Sequence, residues 1–494
     1  MLPTYITFGF YLVMMVVIGV VFMRRTSGNL DEFLLGGRGI GRWVTAMSAQ
    51  ASDMSGWLLM GLPGAIYMIQ SRSGWGDIWC ALGLALGTFL NWTLVAPRLR
   101  IYSERTGSLT VTAYIANRFR DDSGMLRITS ALATLLFFTV YSASGLVAAG
   151  KLFESMFGID YAVAVIIGAL VILAYVFMGG YPAVCWTDLV QGILMFFALI
   201  AVPVYAYFTN PQIDFGAALR ARDIVCFPDG VTAAALMAIV SAFVWGLGYF
   251  GQPHILTRFM SIRSFRDLPR TTLIAMIWVV ISLTAAVVIG LVAIPLWDGD
   301  RILGAKEAER VFIYMVRDFF NPWIGGVLMA AILAAIMSTI DSQLLVSSST
   351  LTEDIFKKMV KKPLSDRQLV RLSRFFVLAI TALALALALA DLETIFSLVK
   401  FAWGGFGAAF GPVILCSLYF RGMSRQAAFA GMVTGMAVML GWYFAGYSKY
   451  MYEILPGFAA GLLAIWIVGR IRPQRDPAVS AEFDAMLAEL HSEK

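Results

Sequence analysis

The chain has 494 residues, of which 60% are hydrophobic and 14% are charged. Soluble globular proteins carry about 25% charged residues, so this composition excludes an ordinary soluble protein and indicates a polytopic membrane protein. The net charge of +6 is explained by basic cytoplasmic loops and does not indicate nucleic-acid binding.

Thirteen segments in chain order are long and apolar enough to cross a membrane, which takes about 20 residues. We read the first as a retained helix rather than a cleaved signal peptide. Residues 1–471 are expected to form one transmembrane domain, and 472–494 a short cytoplasmic tail whose amphipathic helix has no function of its own. The predicted spans are 4–23, 41–70, 76–97, 125–149, 160–180, 186–208, 231–255, 271–296, 322–348, 372–390, 394–419, 425–445 and 453–470.

The basic residues orient these spans. Most of the 37 lysines and arginines fall in alternate connections, which places the N-terminus outside and the C-terminus in the cytoplasm. One such cytoplasmic connection is expected to hold Arg258, Arg263, Arg266 and Arg270.

The second span contains the polar stretch "ASDMSGWLLMGLPG", which begins at Ala51. A charge such as that of Asp53 is costly in a membrane unless it faces a cavity, an ion or a partner. We therefore expect the helix to break between Ala51 and Gly56, which would free carbonyls for a cation and amides for an anion. The alternative is a kinked structural helix that Asp53 caps.

The seventh span contains a second glycine-rich stretch, "VWGLGYFGQPHI", from Val244 to Ile255. Three glycines and a proline at this density should interrupt the helix. Two interrupted spans at corresponding points of two five-helix units predict an inverted-repeat secondary transporter. The repeats would be 41–208 and 231–419, with an extra helix and loop in 1–40 and two extra helices in 425–470.

The ninth span, "AILAAIMSTIDSQLLVSSS", places Ala335, Ser338, Thr339 and Ser342 on one helix face. Hydroxyls and carbonyls together form a neutral oxygen site that suits an alkali cation. Alternatively, the hydroxyls bond back to carbonyls of their own helix. Asp341 in the same span requires a compensating partner.

Residue types needed for other functions are scarce. Two histidines exclude a bis-histidine haem in the membrane, because His491 lies in the tail. The chain has no Walker phosphate loop and no paired catalytic constellation outside the two breaks, which argues against an ATP-driven pump or an enzyme. The four cysteines lack metal-ligand spacing and are read as structural thiols: Cys80, Cys185, Cys226 and Cys416.

Several stretches together resemble the sodium:solute symporter family, and in particular its proline-transporting branch. They run from the second to the eleventh span: "ASDMSGWLLMGLPGA", "LFFTVYSASG", "CWTDLVQ", "WGLGYFGQPHIL", "AERVFI", "FNPWI", "ILAAIMST" and "AWGGFGAAFGPV". The resemblance implies an all-α membrane protein with the LeuT-type five-plus-five inverted repeat. It also implies sodium-coupled import of L-proline by alternating access across a bacterial inner membrane, with no obligatory protein partner.

The resemblance also implies site residues. Asp53 resembles the aspartate tied to sodium binding, and Asp188 in "CWTDLVQ" matches an aspartate on the cytoplasmic route of sodium. The implied sodium ligands are Ala51, Met54, Ala335, Ser338 and Thr339. The implied substrate residues are Ser55, Gly56, Trp57, Tyr141, Trp245, Tyr249, Gln252 and Pro253.

Asp341 departs from the family pattern, because the proline branch is expected to have a neutral residue there. We hypothesise that Asp341, Ser342, Ser338 and Asp188 form a second cation site, for sodium or a proton. The alternative is a carboxylate solvated in a cytoplasmic vestibule.

Other functions stay open at this point. A solute sensor on the same fold would usually carry a long output domain, and this tail is short. A passive cation channel would conduct without substrate. Within the transporter class, the substrate could be another small carboxylate or solute, and the coupling ion a proton.

Overall fold

The computed structural model describes residues 2–26, 30–69, 75–225, 227, 232–297, 304–357, 364–391 and 393–492. These residues form helices and connecting segments without a β-strand, which confirms the all-α fold. The α-helices are α1 (Leu2–Thr26), α2 (Leu30–Leu35), α3 (Arg42–Asp53), α4 (Leu62–Tyr67), α5 (Ile78–Leu90), α6 (Ala96–Arg105), α7 (Val111–Arg118), α8 (Met125–Phe157), α9 (Tyr161–Thr209), α10 (Phe215–Ala221), α11 (Ala233–Phe243), α12 (Pro253–Ser261), α13 (Leu268–Leu296), α14 (Ala305–Ala308), α15 (Val311–Phe319), α16 (Pro322–Ser349), α17 (Asp366–Leu389), α18 (Ile395–Tyr419), α19 (Arg425–Phe444), α20 (Ile454–Ile471) and α21 (Pro477–His491).

Eleven helices in the described chain are long and apolar enough to cross a membrane, and two shorter apolar helices span Trp57–Tyr67 and Tyr161–Ala174. The predicted span 41–70 is divided by a break, so neither part meets the length of a spanning helix. The predicted spans 160–180 and 186–208 correspond to the two helical parts of α9, which meet at a kink at Gly180 (φ 61°, ψ −170°). Glycine adopts this positive φ without steric cost, so the chain turns there without a loop.

Three predicted spans end too early. The span 125–149 extends to Phe157, and two others continue through π-helical segments. The span 76–97 extends to Arg105 through the π-helical turn Asn91–Val95, and the span 322–348 extends to Phe356 through a second π-helical segment. Charged residues marked the end of apolar sequence but not the end of the helix. Arg100, for example, is buried because its guanidinium donates to the carbonyls of Ile262 and Arg263.

The helix α16 lies at the centre of the molecule, packed against α1, α3, α8 and α9. Its most apolar window is 83% buried, whereas that of α1 is 22% buried, so α1 lies at the periphery. Helix α5 approaches the glycine-rich segment Val244–Gly251 so closely that a Cβ on Gly87 would lie 2.3 Å from the carbonyl oxygen of Gly246. This packing holds the segment around residue 248 between α5 and α18.

The C-terminal tail forms the predicted amphipathic helix, α21, which packs on α6. Its apolar face, which includes Val479, Phe483 and Met486, is buried. Arg421 donates two hydrogen bonds of 2.7 Å to Asp484, and these hold the pKa of that carboxyl below its usual range. The tail is therefore docked on the bundle through both apolar and ionic contacts.

The cysteines support the structural interpretation in part. Cys80 and Cys185 are buried and Cys416 is half-buried, all three as free thiols. Cys226 lies outside the described residues.

Candidate functional site

The first break lies where the sequence predicts it. Helix α3 ends at Asp53, Met54 leaves the helical region (φ −85°, ψ 75°), and the helix resumes at Gly56. A Cβ on Gly56 would lie 2.9 Å from the Cβ of Ala148, so the break packs against α8 only with glycine at this position. The interrupted-helix prediction is confirmed. The alternative, in which Asp53 caps a kinked helix, is contradicted because the carboxylate of Asp53 accepts from Tyr249 instead.

The second break separates the 3-10 segment Val244–Gly251 from α12 at Gln252, which is extended (φ −81°, ψ 106°). Pro253 follows as the first residue of α12, where its missing N–H costs no helical hydrogen bond. A Cβ on Gly248 would lie 1.8 Å from the indole nitrogen of Trp403, which donates to the carbonyl of Trp245 at 2.8 Å. The glycines thus allow an aromatic side chain to lie against the unwound backbone.

Asp53 joins the two breaks. Its Oδ2 accepts a 2.6 Å hydrogen bond from the hydroxyl of Tyr249, and its main-chain carbonyl accepts bonds from Tyr141 (3.1 Å) and the indole of Trp57 (3.0 Å). All four residues are buried. Its Oδ1 has no hydrogen-bond partner within the described part of the chain. A buried carboxylate with one free oxygen favours the approach of a cation.

Oxygen atoms of α3 and α16 meet one turn before the first break. The carbonyl of Ala51 accepts hydrogen bonds from the hydroxyls of Ser338 at 2.7 Å and Thr339 at 3.4 Å. Both hydroxyls also donate to the carbonyl of Ala335, at 3.1 and 3.2 Å. The two alternatives from the sequence therefore both hold, since the hydroxyls bond their own helix and also cross to α3.

This oxygen cluster has the chemistry of an alkali-cation site. Its four atoms are uncharged, they come from two different helices, and each residue is almost completely buried. Met54 lies in the non-helical backbone next to it. Carbonyls at broken helices and nearby hydroxyls are the groups with which transporters of this architecture coordinate Na⁺.

Most of the predicted substrate residues gather around the two breaks. Ser55, Gly56 and Trp57 follow Met54 in the chain, and Tyr141 and Tyr249 bond to Asp53 as described. Gln252 donates from its amide to the carbonyl of Gly248 at 3.2 Å, and Pro253 is buried beside it. Trp57 and Tyr249 expose only 2% and 1% of their surface, so the site is closed to solvent.

Trp245 lies in the second break segment but differs from this group in its side-chain contacts. It packs against Phe396 and Tyr452 and lines an open cavity of about 600 Å³, which we name the Trp75 cavity. The cavity is also lined by Trp75, Asp77 and Lys400. Trp245 belongs to the segment Val244–Gly251 at the second break and also lines this cavity, and its contact with the substrate stays a prediction.

Asp188 and Ser342 come together as the sequence predicts, but around an arginine. Arg258 donates from Nη2 to Asp188 Oδ2 at 3.1 Å and to the hydroxyl of Ser342. Ser342 in turn donates to Asp341 Oδ1 at 3.2 Å. The alternative in which Asp341 is solvated in a vestibule is wrong, because Asp341 is fully buried.

Arg258 is the residue that sequence reasoning placed wrongly. It was assigned to a cytoplasmic loop, yet it lies in α12 with 1% of its side chain exposed. A usable signal was present, since a helix that restarts at Pro253 carries Arg258 more than one turn inside the bundle. Ser48, which bonds both Arg258 and Asp188, was missed for lack of any such signal.

Comparisons with known proteins agree with this geometry. A model of the sodium:solute symporter family matches residues 33–435. The high-affinity proline transporter PutP of Bacillus subtilis is 46% identical over 95% of this chain and 98% of its own length. The sodium/proline symporter of Escherichia coli is 44% identical over 99% of this chain and 97% of its own.

Solved structures establish the fold. A Na⁺-coupled sialic acid symporter, in a substrate-bound outward-open state, superposes with a TM-score of 0.80 at 19% identity, over 96% of this chain and 99% of its own. MhsT in complex with L-phenylalanine superposes with a TM-score of 0.57 at 16% identity, over 87% of this chain and 98% of its own. The predicted LeuT-type fold is confirmed by these similarities.

Proposed function

Because this chain belongs to the sodium:solute symporter family, we propose that it is an integral membrane symporter that imports L-proline together with sodium. It is a transporter and not an enzyme. Relatives that cover nearly its whole length are named proline transporters, which supports proline as the substrate. One observation carries the proposal. The hydroxyls of Ser338 and Thr339 meet the carbonyl of Ala51 beside the first break, and there Asp53 accepts a hydrogen bond from Tyr249 of the second break.

The proposed sodium site consists of the oxygens of Ala51, Ala335, Ser338 and Thr339, completed by the carbonyl of Met54. Asp53 acts on the ion through its charge and by holding the two breaks together. This role is supported by the free Oδ1 of its carboxylate, and by the hydrogen bond of 2.6 Å from Tyr249 to Oδ2.

The proposed substrate site lies next to the ion. The hydroxyl of Ser55 and the amide of Gly56 would hold the carboxylate of proline, since amides at a half-helix start favour an anion. Trp57, Tyr141 and Tyr249 would enclose the apolar ring, with Gln252 and Pro253 shaping the second break. Such a pocket combines apolar walls with a few placed polar groups, as small-molecule sites generally do.

We infer that Trp245 takes part as the outer wall of this pocket. Trp245 is part of the second break segment and also lines the Trp75 cavity. Outward opening would move it aside and admit proline from that cavity. Its packing against Phe396 and Tyr452 would then change while the contacts of Tyr249 persist.

We also propose the orientation that the basic residues indicate, with the N-terminus outside and the C-terminus in the cytoplasm. The Trp75 cavity would then open to the outside and α21 would lie in the cytoplasm. The repeats 41–208 and 231–419 would rock against each other, with 1–40 and 425–470 as flanking elements. Sodium and proline each raise the affinity for the other, because coupling between two sites is reciprocal.

The driving force is sufficient with one sodium ion. Moving one charge through 100 mV yields about 2.3 kcal/mol, and a tenfold sodium gradient adds about 1.4 kcal/mol. Together these concentrate a zwitterion roughly 500-fold, at about 1.4 kcal/mol per factor of ten.

The test is uptake of labelled proline by the purified protein in proteoliposomes, with sodium and proton gradients imposed separately. We expect uptake with an inward sodium gradient and a negligible effect of a proton gradient alone. Proton-driven uptake without sodium would overturn the choice of ion. Current without proline would indicate a channel.

Replacing Trp57 or Tyr249 by alanine should chiefly weaken proline binding. Each change removes an aromatic wall and, for Tyr249, the bond to Asp53, so we expect roughly a 10- to 100-fold increase in KM for proline at saturating sodium. Phe375→Ala serves as the control, because Phe375 is an exposed aromatic residue of α17. Unchanged proline kinetics in both site variants would contradict the proposed pocket.

A further inference from the structure

The C-terminal helix α21 lies at one end of the bundle. It packs on α6, which ends at Arg105, whereas the same spanning helix begins at Ile78 beside the Trp75 cavity. The tail therefore covers the end of the bundle opposite that cavity. The sequence predicts no function for this helix, but its contacts join parts of the chain that the proposed mechanism moves.

Three ion pairs within the described chain attach α21 to the bundle, and in each the tail supplies the carboxylate. Arg105 ends α6 and Arg120 follows α7, so both arginines belong to the first repeat. Arg421 lies directly beyond the end of α18, the last helix of the second repeat. The tail thus bonds to both repeats, through the pairs Arg105–Glu489 at 3.0 Å, Arg120–Glu482 at 3.3 Å and Arg421–Asp484 at 2.7 Å.

The apolar face of α21 covers a buried arginine. Arg118 in α7 has no exposed surface, and its guanidinium carbon lies 5.3 Å from the ring centre of Phe483. Its Nε donates to the carbonyl of Ser417 in α18 at 3.1 Å, and the hydroxyl of Ser417 lies 2.9 Å from that of Tyr114 in α7. Arg118 therefore joins the first repeat to the second, and Phe483 helps to exclude water from this contact.

The last turn of α21 also lies between the repeats. Leu490 lines a cavity of about 960 Å³ together with Phe89 and Trp92 of the first repeat and Phe265 and Leu268 of the second. Ionic and apolar groups of the tail thus face both repeats along the length of the helix.

These contacts belong to a state that is closed at the end covered by α21. Ser338 of the proposed sodium site and Asp188 on the expected route of exit are both fully buried. If the repeats rock to open this route, they must separate at that end, and contacts that α21 makes with both of them must break. A contact made in only one of two states stabilises that state.

We propose that α21 is an autoinhibitory element that, when docked, stabilises the state closed to the cytoplasm and slows the opening through which sodium and proline leave. The proposal rests on the proposed function for the direction of opening. It replaces the expectation of a tail without a function. Undocking would break three ion pairs and expose Arg118 to water, where its guanidinium no longer needs the carbonyl of Ser417 or the ring of Phe483.

The test measures opening with two native cysteines as reporters. Cys185 is fully buried in α9, about one helical turn from Asp188, and Cys80 is fully buried in α5 beside the Trp75 cavity. Each reporter is the only cysteine left after serine replaces the other three. A buried thiol reacts with N-ethylmaleimide only when the protein opens around it, so the alkylation rate measures the population of the open state.

Two substitutions in the full chain weaken the docking of α21. Phe483→Ala uncovers Arg118, and Asp484→Arg replaces an ion pair with a repulsion from Arg421. We expect each to speed the alkylation of Cys185 roughly 3- to 10-fold, the range that follows from the loss of one or two modest contacts. Alkylation of Cys80 should stay unchanged, because the opening lies at the other end of the bundle.

Two controls isolate the docking contact. The charge exchange Arg421→Asp/Asp484→Arg should restore slow alkylation of Cys185. Ala481→Arg adds the same charge at an exposed position of α21 and should have no effect. Equal alkylation of Cys185 in all variants would overturn the proposal, as would an equal increase at Cys80, which would show general loosening. If Phe483→Ala does not fold, Asp484→Arg and the charge exchange decide, because they alter exposed side chains.

The outcomes also separate this proposal from the proposed function. Absence of sodium-dependent proline uptake by the wild type would remove the proposed substrate or ion. Faster alkylation of Cys185 in Asp484→Arg would nevertheless persist, because that measurement needs neither ligand. Normal uptake with unchanged alkylation of Cys185 would leave the function intact and remove the role of α21.

Discussion

Asp53→Asn is expected to lower the apparent affinity for sodium roughly 10- to 100-fold, with a much smaller effect on folding. The substitution keeps the size of the side chain and an oxygen that can accept from Tyr249, but it removes the negative charge next to the ion. A unit charge about 6 to 10 Å from the ion contributes roughly 1.7–2.8 kcal/mol at an effective dielectric constant of about 20, and each 1.4 kcal/mol is tenfold in affinity. The measurement is proline uptake as a function of sodium concentration.

Two comparisons isolate the charge of Asp53. Tyr249→Phe removes the 2.6 Å hydrogen bond but keeps the carboxylate, so its sodium affinity should fall less than that of Asp53→Asn. Asp366→Asn makes the same chemical change at an exposed position in the first turn of α17 and should have no effect. A normal sodium requirement in Asp53→Asn, with protein correctly inserted, would show that this carboxylate does not act on the ion.

The helical framework could be predicted because long apolar segments leave few alternatives. Errors occurred where a buried charge had an unforeseen partner. Arg100 continues its helix because the carbonyls of Ile262 and Arg263, more than 160 residues away in sequence, accept its hydrogen bonds. The π-helical turns that extend the helices leave no compositional mark, and the bend at Gly180 could not be distinguished from a loop.

The candidate site could likewise be predicted where local sequence decides the structure, but not where a residue depends on a distant partner. The break at Met54 follows from local sequence, since an aspartate, serines and a glycine within a span require covered, irregular backbone. The pairing of Ser338 with Ala51 was expected from the family resemblance. Arg258 was misplaced because the rule that assigns basic residues to loops takes no account of partners such as Asp188, which lies 70 residues earlier.

Ser338→Ala is expected to weaken sodium binding about tenfold and to leave proline binding at saturating sodium nearly unchanged. The hydroxyl is the closest side-chain group to the carbonyl of Ala51, at 2.7 Å, so its loss removes a ligand and leaves that carbonyl less well satisfied. Thr339→Val removes a hydroxyl that lies farther away, at 3.4 Å, and should have a smaller effect. The readout is the sodium concentration for half-maximal proline uptake.

Ser349→Ala is the matched control, because the hydroxyl of Ser349 is buried at the end of the same helix and bonds only the carbonyl of Leu345 within the described chain. The double variant Ser338→Ala/Thr339→Val distinguishes a shared site from two independent hydroxyls. Ligands of one ion are coupled, so the combined loss should differ from the sum of the single losses. Equal sodium dependence in Ser338→Ala and Ser349→Ala would mean that these hydroxyls only stabilise α16, and the ion would then have to bind elsewhere along the first break.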